Sequence, residues 1–320
     1  MIVITGGAGF LGSSLAHALN AAGITNLVLA DDFAQHDKAD QRWQNINGAK
    51  FAELIPTKGL FTWLNANRAQ VDAVVHLGGL NGNAAADTDA LLHDHYHHAQ
   101  MLWDWCTLAA RPFLYASSAA TYGLGEHGYN DTLEPAYLEK LRPVSPYGFA
   151  KHQFDKWVSA AVTRGDARPP QVVGMKFFNV FGPHEYFESG TALVPAIFAA
   201  AQADAACTLY GDGQAQRDFM WIDDTTAVMM WFLANPKISG LFNVGTGTAS
   251  TYFELANAVY KSLYKSPLVN FTPAPPHFPL RAVADVSRLR AAGYKAAFTP
   301  LESAIQSYIT QFLAAGKLYR

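Results

Sequence analysis

At 320 residues, with 50% hydrophobic and 15% charged side chains, the chain has the apolar mass for one large domain or two closely packed ones, which excludes a disordered or fibrous protein. A net charge of −3, with no run of Lys or Arg longer than two, excludes a nucleic-acid footprint. Cys106 and Cys207 have no metal-like or redox-like spacing, and no apolar stretch reaches the roughly 18 residues of a membrane span, so neither thiol chemistry nor a membrane is expected.

The first predicted element is the apolar strand at 2–5. It opens the chain so early that no signal peptide fits before it, which predicts a cytoplasmic protein. Thr5-Gly6-Gly7-Ala8-Gly9-Phe10-Leu11-Gly12 follows, then the helix-like Ser13-Ser14-Leu15-Ala16-His17-Ala18-Leu19. A strand that ends in glycines and opens a helix is a dinucleotide-phosphate site. Gly6, Gly9 and Gly12 permit the tight turn, the approach of backbone to pyrophosphate and close helix–strand packing, while N–H groups of the helix start, at Phe10 and Leu11, face the anion. The second strand, at 27–30, closes on Asp31-Asp32, where an acid meets the adenosine ribose hydroxyls, and either Asp suits that role. Lys38 and the more distant Arg42 stand where a 2′-phosphate needs a cation, so NAD and NADP both stay open.

Further strands are expected at 49–52, 73–77, 113–117, 172–177 and 241–244, and helices at 84–109, 147–163, 192–203, 224–234, 252–264 and 299–315. That alternation predicts an α/β fold, a Rossmann-type doubly wound parallel sheet. Residues 181–219 and those after about 249 leave the rhythm. The expected division is a dinucleotide-binding domain at 1–180 and 220–248, with a smaller α/β substrate-binding cap at 181–219 and 249–320 against the carboxyl ends of the strands.

Tyr147-Gly148-Phe149-Ala150-Lys151 carries the strongest chemical signal. Tyr and Lys at i, i+4 share one helix face, and a nearby ammonium favours phenolate. Tyr147 then exchanges a proton with a substrate hydroxyl while Ser118, at the end of a predicted strand, hydrogen-bonds the same oxygen. Such chemistry calls for a nicotinamide. In His93-Asp94-His95-Tyr96-His97-His98, His93 with His97 and Asp94 with His98 have ligand-capable helical spacing, but this helix is expected to flank the fold, and no metal is expected. Trp103-Asp104-Trp105 reads as packing against the sheet or a subunit neighbour.

The glycine motif, Leu114 to Gly123, Tyr147 to Lys151, Phe177-Phe178-Asn179-Val180-Phe181-Gly182-Pro183, Arg217-Asp218-Phe219 and Phe242 to Gly247 together resemble the extended short-chain dehydrogenase/reductase family of nucleotide-sugar epimerases and dehydratases, over nearly the whole chain. Within it, Y-A-S-S-A-A-T-Y-G at 115–123, F-F-N-V-F-G-P-H-E-Y at 177–186 and L-R-A-A-G-Y at 289–294 are most similar to the ADP-glycero-manno-heptose 6-epimerases. The resemblance implies a catalytic set of Ser118, Tyr147 and Lys151, with Tyr147 and Lys151 also touching the cofactor. It implies that His76-Leu77-Gly78 borders the dinucleotide beside Gly6, Gly9, Gly12 and Asp31. It further implies that Asn179 and Arg217 hold the substrate's diphosphate, and that Ser117 and Asn81 contact substrate. Arg281 is a second phosphate clamp or a surface salt-bridge partner of Asp285. The implied cofactor is NAD or NADP, the implied partner a nucleotide-diphosphate sugar, and the implied assembly a homo-oligomer.

Three departures stand out. Where heptose epimerases carry a lysine as second acid/base, this chain has Glu188, which is either that base or a surface residue of its loop. The Ser/Thr-rich sugar-contacting stretch reads Gly79-Leu80-Asn81-Gly82-Asn83-Ala84-Ala85, and a tyrosine-bearing segment is replaced by Leu280-Arg281-Ala282-Val283. The expectation is an NAD(P)-dependent nucleotide-sugar epimerase, an isomerase with an altered sugar pocket, which abstracts a hydride and returns it to the other face. The alternatives are another epimerase, dehydratase or reductase of the family, and a non-catalytic dinucleotide sensor. Ala119-Ala120-Thr121 lacks the acid pair of a 4,6-dehydratase, while Tyr147 and Lys151, which a silent sensor would lose, are both present.

Overall fold

The structure, a computed structural model, describes residues 1–33, 41–80, 87–185 and 192–316. β1 (Ile2–Thr5) feeds α1 (Phe10–Ala21), followed by β2 (Leu27–Ala30), β3 (Glu53–Ile55), α2 (Leu60–Ala66) and β4 (Ala73–His76). α3 (Thr88–Leu92) runs through a π turn at His93–His97 into α4 (His98–Ala109), then come β5 (Phe113–Ser118), α5 (Pro135–Leu138), α6 (Pro146–Arg164) and β6 (Val172–Phe177). Beyond it lie β7 (Asn179–Phe181), α7 (Leu193–Gln202), β8 (Cys207–Tyr210), β9 (Gln216–Arg217), β10 (Phe219–Trp221), α8 (Ile222–Ala234) and β11 (Gly240–Val244). The chain continues through β12 (Ser250–Thr251), α9 (Tyr252–Ser262), β13 (Val269–Thr272), β14 (Arg281–Ala282), α10 (Ser287–Ala291) and α11 (Leu301–Tyr308).

The central sheet has seven strands in the order β11-β6-β5-β4-β1-β2-β3, all parallel, which is the expected doubly wound α/β sheet. The order reverses between β1 and β4, the crevice where such sheets bind dinucleotides. Adjacent residues serve opposite faces, as the pleat requires. Ile4, Leu29, Val75, Leu114 and Met175 pack with Leu15 and Leu19 of α1 and Val228, Met229 and Phe232 of α8. Val3, Val28, Val74, Phe113 and Tyr115 pack on the other side with Leu102, Trp103, Phe154 and Val158. Trp103 and Trp105 are both buried in this second core, so the tryptophan pair is internal packing.

Expected and observed elements differ in three places. β3 lies at 53–55 rather than 49–52, because its pairing to β2 aligns Glu53 with Val28 and Ile55 with Ala30. As an edge strand it buries only Ile55, too little for an apolar pattern to reveal. The helix expected at 84–109 is broken by the π turn, and its start lies outside the described residues. The last helix continues from Tyr308 as a second π turn to Leu313.

A third core joins Val194 and Ile197 of α7, Leu209, Trp221, Leu255 and Val259 of α9, and Ile305 and Tyr308 of α11. Around it lie the short pairings β10-β7, β13-β8 and the three-stranded β12-β9-β14. Among the described residues, no helix is long and apolar enough to cross a membrane.

Candidate active site

The glycine turn is built backbone on backbone. Gly6 has φ +67°, and a Cβ on Gly12 would stand 2.0 Å from the Gly6 carbonyl oxygen, so only hydrogen fits where α1 crosses the turn. A Cβ on Gly6 would meet Gly78 Cα at 2.6 Å, which presses the exit of β4 at Leu77-Gly78 against the same turn. Gly9 caps α1 without a side-chain hydrogen bond and no acid occupies the first turn, so the N–H groups of Phe10 and Leu11 are left for an anion. Thr5 Oγ1 lies 2.7 Å from His76 Nδ1 and accepts from Gly78 N at 3.2 Å, tying β1 to β4 at the switch point.

The two aspartates separate. Asp31 accepts from Ala8 N at 2.9 Å and from its neighbour's N–H at 2.9 Å, and so faces the glycine turn. Asp32 accepts from Thr57 N at 3.1 Å and faces the exit of β3. Arg42 pairs with Asp31 at 3.1 Å and donates to the Asp32 carbonyl at 2.8 Å. The cation weighed as a 2′-phosphate ligand is thus paired with Asp31, and Lys38 lies outside the described residues. A bare helix N-terminus beside a fixed carboxylate acceptor fits a dinucleotide.

α6 is started by Ser145, whose Oγ accepts from Gly148 N at 3.1 Å, with Pro146 in its first turn. This helix carries Tyr147, Lys151 and Asp155 one turn apart on one face. Lys151 is buried, donates from Nζ to the Ala116 carbonyl at 2.7 Å and sits 5.8 Å from the centre of the Tyr147 ring. Burial pushes its pKa down to about 8, against the pull of Asp155 and Asp94. Ser118 Oγ accepts from Ala120 N at 3.1 Å, leaving its own proton to donate. A Cβ on Gly148 would lie 2.6 Å from the Ala120 oxygen, so α6 meets the Ser118 turn at backbone contact beside Tyr147.

Ser117 points the other way. Its Oγ is buried and donates to Asp155 at 2.7 Å, so this residue, expected to touch substrate, is turned from the pocket by the alternation of β5. Asp155 also accepts from Tyr115 at 3.1 Å and from Lys176 Nζ at 2.7 Å, an ion pair with both side chains 0% exposed. Lys176 also reaches Thr121 and lies 4.6 Å from the centre of the Tyr122 ring. Sequence reasoning missed this network, although Asp155 at i+4 from Lys151 was a signal on the same face.

Outside the central sheet, β9 and β14 run parallel, with Ala282 opposite Arg217 and Arg281 opposite Gln216, which brings both arginines to one small sheet. The Arg217 guanidinium lies 5.2 Å and 4.6 Å from the centres of the Tyr252 and Phe278 rings. Arg281 donates to the Gln216 side chain, while Asp285 accepts from Ser287 N, so the expected alternative of an Arg281–Asp285 salt bridge is not formed. Asp218, fully buried, accepts from Thr246, Gly247 and Ala284 and locks the 245–247 turn to β9. Asn179 is exposed at the start of β7. Asn81 and Glu188 lie outside the described residues. Among the described residues, no group of three or more His, Cys, Asp or Glu could hold a metal ion.

The sequence profile of the NAD dependent epimerase/dehydratase family matches residues 2–245. The ADP-L-glycero-D-manno-heptose-6-epimerase of Fusobacterium nucleatum is 32% identical and aligns over 100% of both chains. That of Alkalilimnicola ehrlichii is 32% identical over 97% of this chain and 96% of its own. Among solved structures, UDP-N-acetylglucosamine 4-epimerase from Methanobrevibacter ruminantium has a TM-score of 0.81 at 22% identity, covering 98% of each chain. The Helicobacter pylori ADP-L-glycero-D-manno-heptose-6-epimerase has a TM-score of 0.80 at 24% identity, covering 97% of this chain and 95% of its own. At these identities the structural likeness speaks to fold alone.

Proposed function

The chain belongs to the NAD dependent epimerase/dehydratase family, and from that premise we propose that it is a nucleotide-sugar epimerase, related to the ADP-heptose 6-epimerases but with an altered sugar pocket. The observation that carries this reading is the buried Lys151 beneath Tyr147, packed against the Ser118 turn at the carboxyl ends of the strands that also hold the glycine turn. Bound NAD supplies a hydride acceptor and donor. Tyr147 takes the proton of the substrate hydroxyl as its carbon is oxidised, and gives it back only when the same epimer is re-formed. Lys151 stabilises the phenolate by charge, and Ser118 donates to the same sugar oxygen. Hydride return to the opposite face leaves no net redox change.

Return to the second face calls for a second acid/base, and Glu188 is proposed for it. Asn179, Arg217 and Arg281 are proposed to hold the diphosphate, for which a guanidinium is suited because it grips two oxygens at once. Arg217, already fixed between two rings, loses little side-chain entropy on binding. The Asp31 carboxylate beside the glycine turn, with Arg42 engaged on it, supports NAD over NADP. Residues 1–180 and 220–248 are proposed to bind this cofactor, and 181–219 with 249–320 the sugar. Exposed Met101 and Leu108, seven apart on α4, support association of copies of this chain. Mass spectrometry of the small molecules released on denaturing purified protein tests the reading: it expects NAD, with or without a nucleotide sugar, and NADP alone would oppose it.

A further inference from the structure

None of the roles above uses His95, yet its ring meets both Tyr147 of α6 and the backbone that follows β4. The π turn at His93–His97 carries it inward, where it is 3% exposed. Its Nε2 lies 2.6 Å from the Leu80 carbonyl oxygen, which only accepts, so Nε2 bears the proton and donates. Nδ1 is then a bare lone pair, buried and without a hydrogen-bond partner. The ring stands edge-on to that of Tyr147, centroids 5.2 Å apart at 87°. Gly79, at φ +121°, closes on the other edge so tightly that a Cβ there would stand 2.3 Å from Cε1 and 2.6 Å from Nδ1. One imidazole therefore touches the proton-transferring phenol and the backbone that leads into residues 81–86. π turns interrupt helices at functional sites at a cost in helix geometry, and here the turn serves to aim this side chain.

We propose that His95 is a positioning residue for proton transfer: as the neutral Nε2–H tautomer it fixes the Tyr147 ring over Lys151 and holds the Gly79–Leu80 backbone in register with it. The inference rests on the reading of Tyr147 as the acid/base. Burial and the Lys151 ammonium both hold His95 in its neutral form. The titratable groups facing this cluster are Lys151 and Tyr147 from α6, His76 from β4, and Asp94 and His98 beside His95 on its own helix. A second proton on His95 would have to sit at Nδ1, which has no acceptor, and would repel Lys151.

The test uses His95→Gln and His95→Leu in the full-length protein with NAD. A glutamine amide nitrogen reaches the position of Nε2 and can donate to Leu80, whereas leucine keeps bulk but has no donor. Should His95→Leu not fold, His95→Asn replaces it, since its amide reaches only the position of Nδ1. The readout is the Tyr147 titration, taken from tyrosinate absorbance as the difference between each protein and its Tyr147→Phe counterpart, beside melting temperature and NAD affinity. We expect His95→Gln to titrate as the wild type does. His95→Leu should shift the Tyr147 titration away from that of the wild type, with NAD affinity kept within about threefold. On ADP-L-glycero-D-manno-heptose, kcat of His95→Leu should fall by on the order of tenfold to a hundredfold with KM nearly unchanged. An unchanged Tyr147 titration in both variants would overturn the proposal. If the wild type shows no turnover of that sugar, the functional reading is in question, while the titration still decides the role of His95.

Discussion

Replacing Lys151 with methionine should make the protein more stable while removing its activity. The ammonium is almost wholly buried, and burial lowers its pKa to about 8 from an ordinary 10.5. That gap, about 2.5 pH units at 1.36 kcal/mol each, is a penalty of about 3 kcal/mol on the folded state below pH 8. Methionine fills the same channel without charge but gives up the 2.7 Å hydrogen bond to Ala116, worth about 1 kcal/mol. The net expectation is a gain of about 2 kcal/mol at neutral pH, large beside the effect of most substitutions. Because the folded pKa lies below the unfolded one, the penalty is fully present below about pH 8 and fades as pH rises toward 10.5. Urea unfolding of both proteins without added cofactor, at neutral pH and again near pH 10, measures it. The advantage of Lys151→Met should shrink or reverse at the higher pH. Equal stabilities at neutral pH, or a difference that does not change with pH, would refute the claim that Lys151 is held in a strained, desolvated state.

Other outcomes follow from the same geometry. Asp155→Leu strips the counter-charge from a 0% exposed Lys176 and the acceptor from Ser117 and Tyr115, and should lower stability by about 3–5 kcal/mol in denaturant unfolding. A loss under about 1 kcal/mol would mean that water reaches the pair. From the proposal that Glu188 serves as the second acid/base, the wild type should turn over ADP-L-glycero-D-manno-heptose below the ordinary enzymatic range of about 1–10³ s⁻¹. Glu188→Gln should slow whichever sugar is accepted by on the order of 10²-fold, and a silent variant would remove Glu188 from the chemistry.

Much of the central sheet was legible because its signals are local. Thr5 to Gly12 announces strand, turn and helix within one stretch, and the buried strands read as short apolar runs bounded by turns. Tyr147 and Lys151 needed only the helical period. What escaped was non-local. β9, β12 and β14 are two residues each and exist only through pairings to one another, so no periodicity could show them. Ser117 and Ser118 are neighbours of like chemistry, and only the pleat decides that Ser117 turns to Asp155 while Ser118 accepts from Ala120 N. The histidine run looked like ligand spacing on a straight helix, but the π turn changes the phase and sends His95 to Tyr147. Asp155 and Lys176 are unremarkable charges in the sequence, and their meaning lies in burial against each other.

The central claim is epimerisation by reversible oxidation of a sugar carbon, with Tyr147 as the acid/base. Proton NMR of a panel of ADP- and UDP-sugars, each incubated with protein and NAD while the absorbance of reduced nicotinamide is followed, tests it most directly. The account predicts that at least one sugar relaxes to a mixture of two epimers with no accumulation of NADH, and that Tyr147→Phe slows this by on the order of 10²–10⁴-fold while binding NAD as before. Stoichiometric NADH, a dehydrated product, or a wild-type rate in Tyr147→Phe would contradict it.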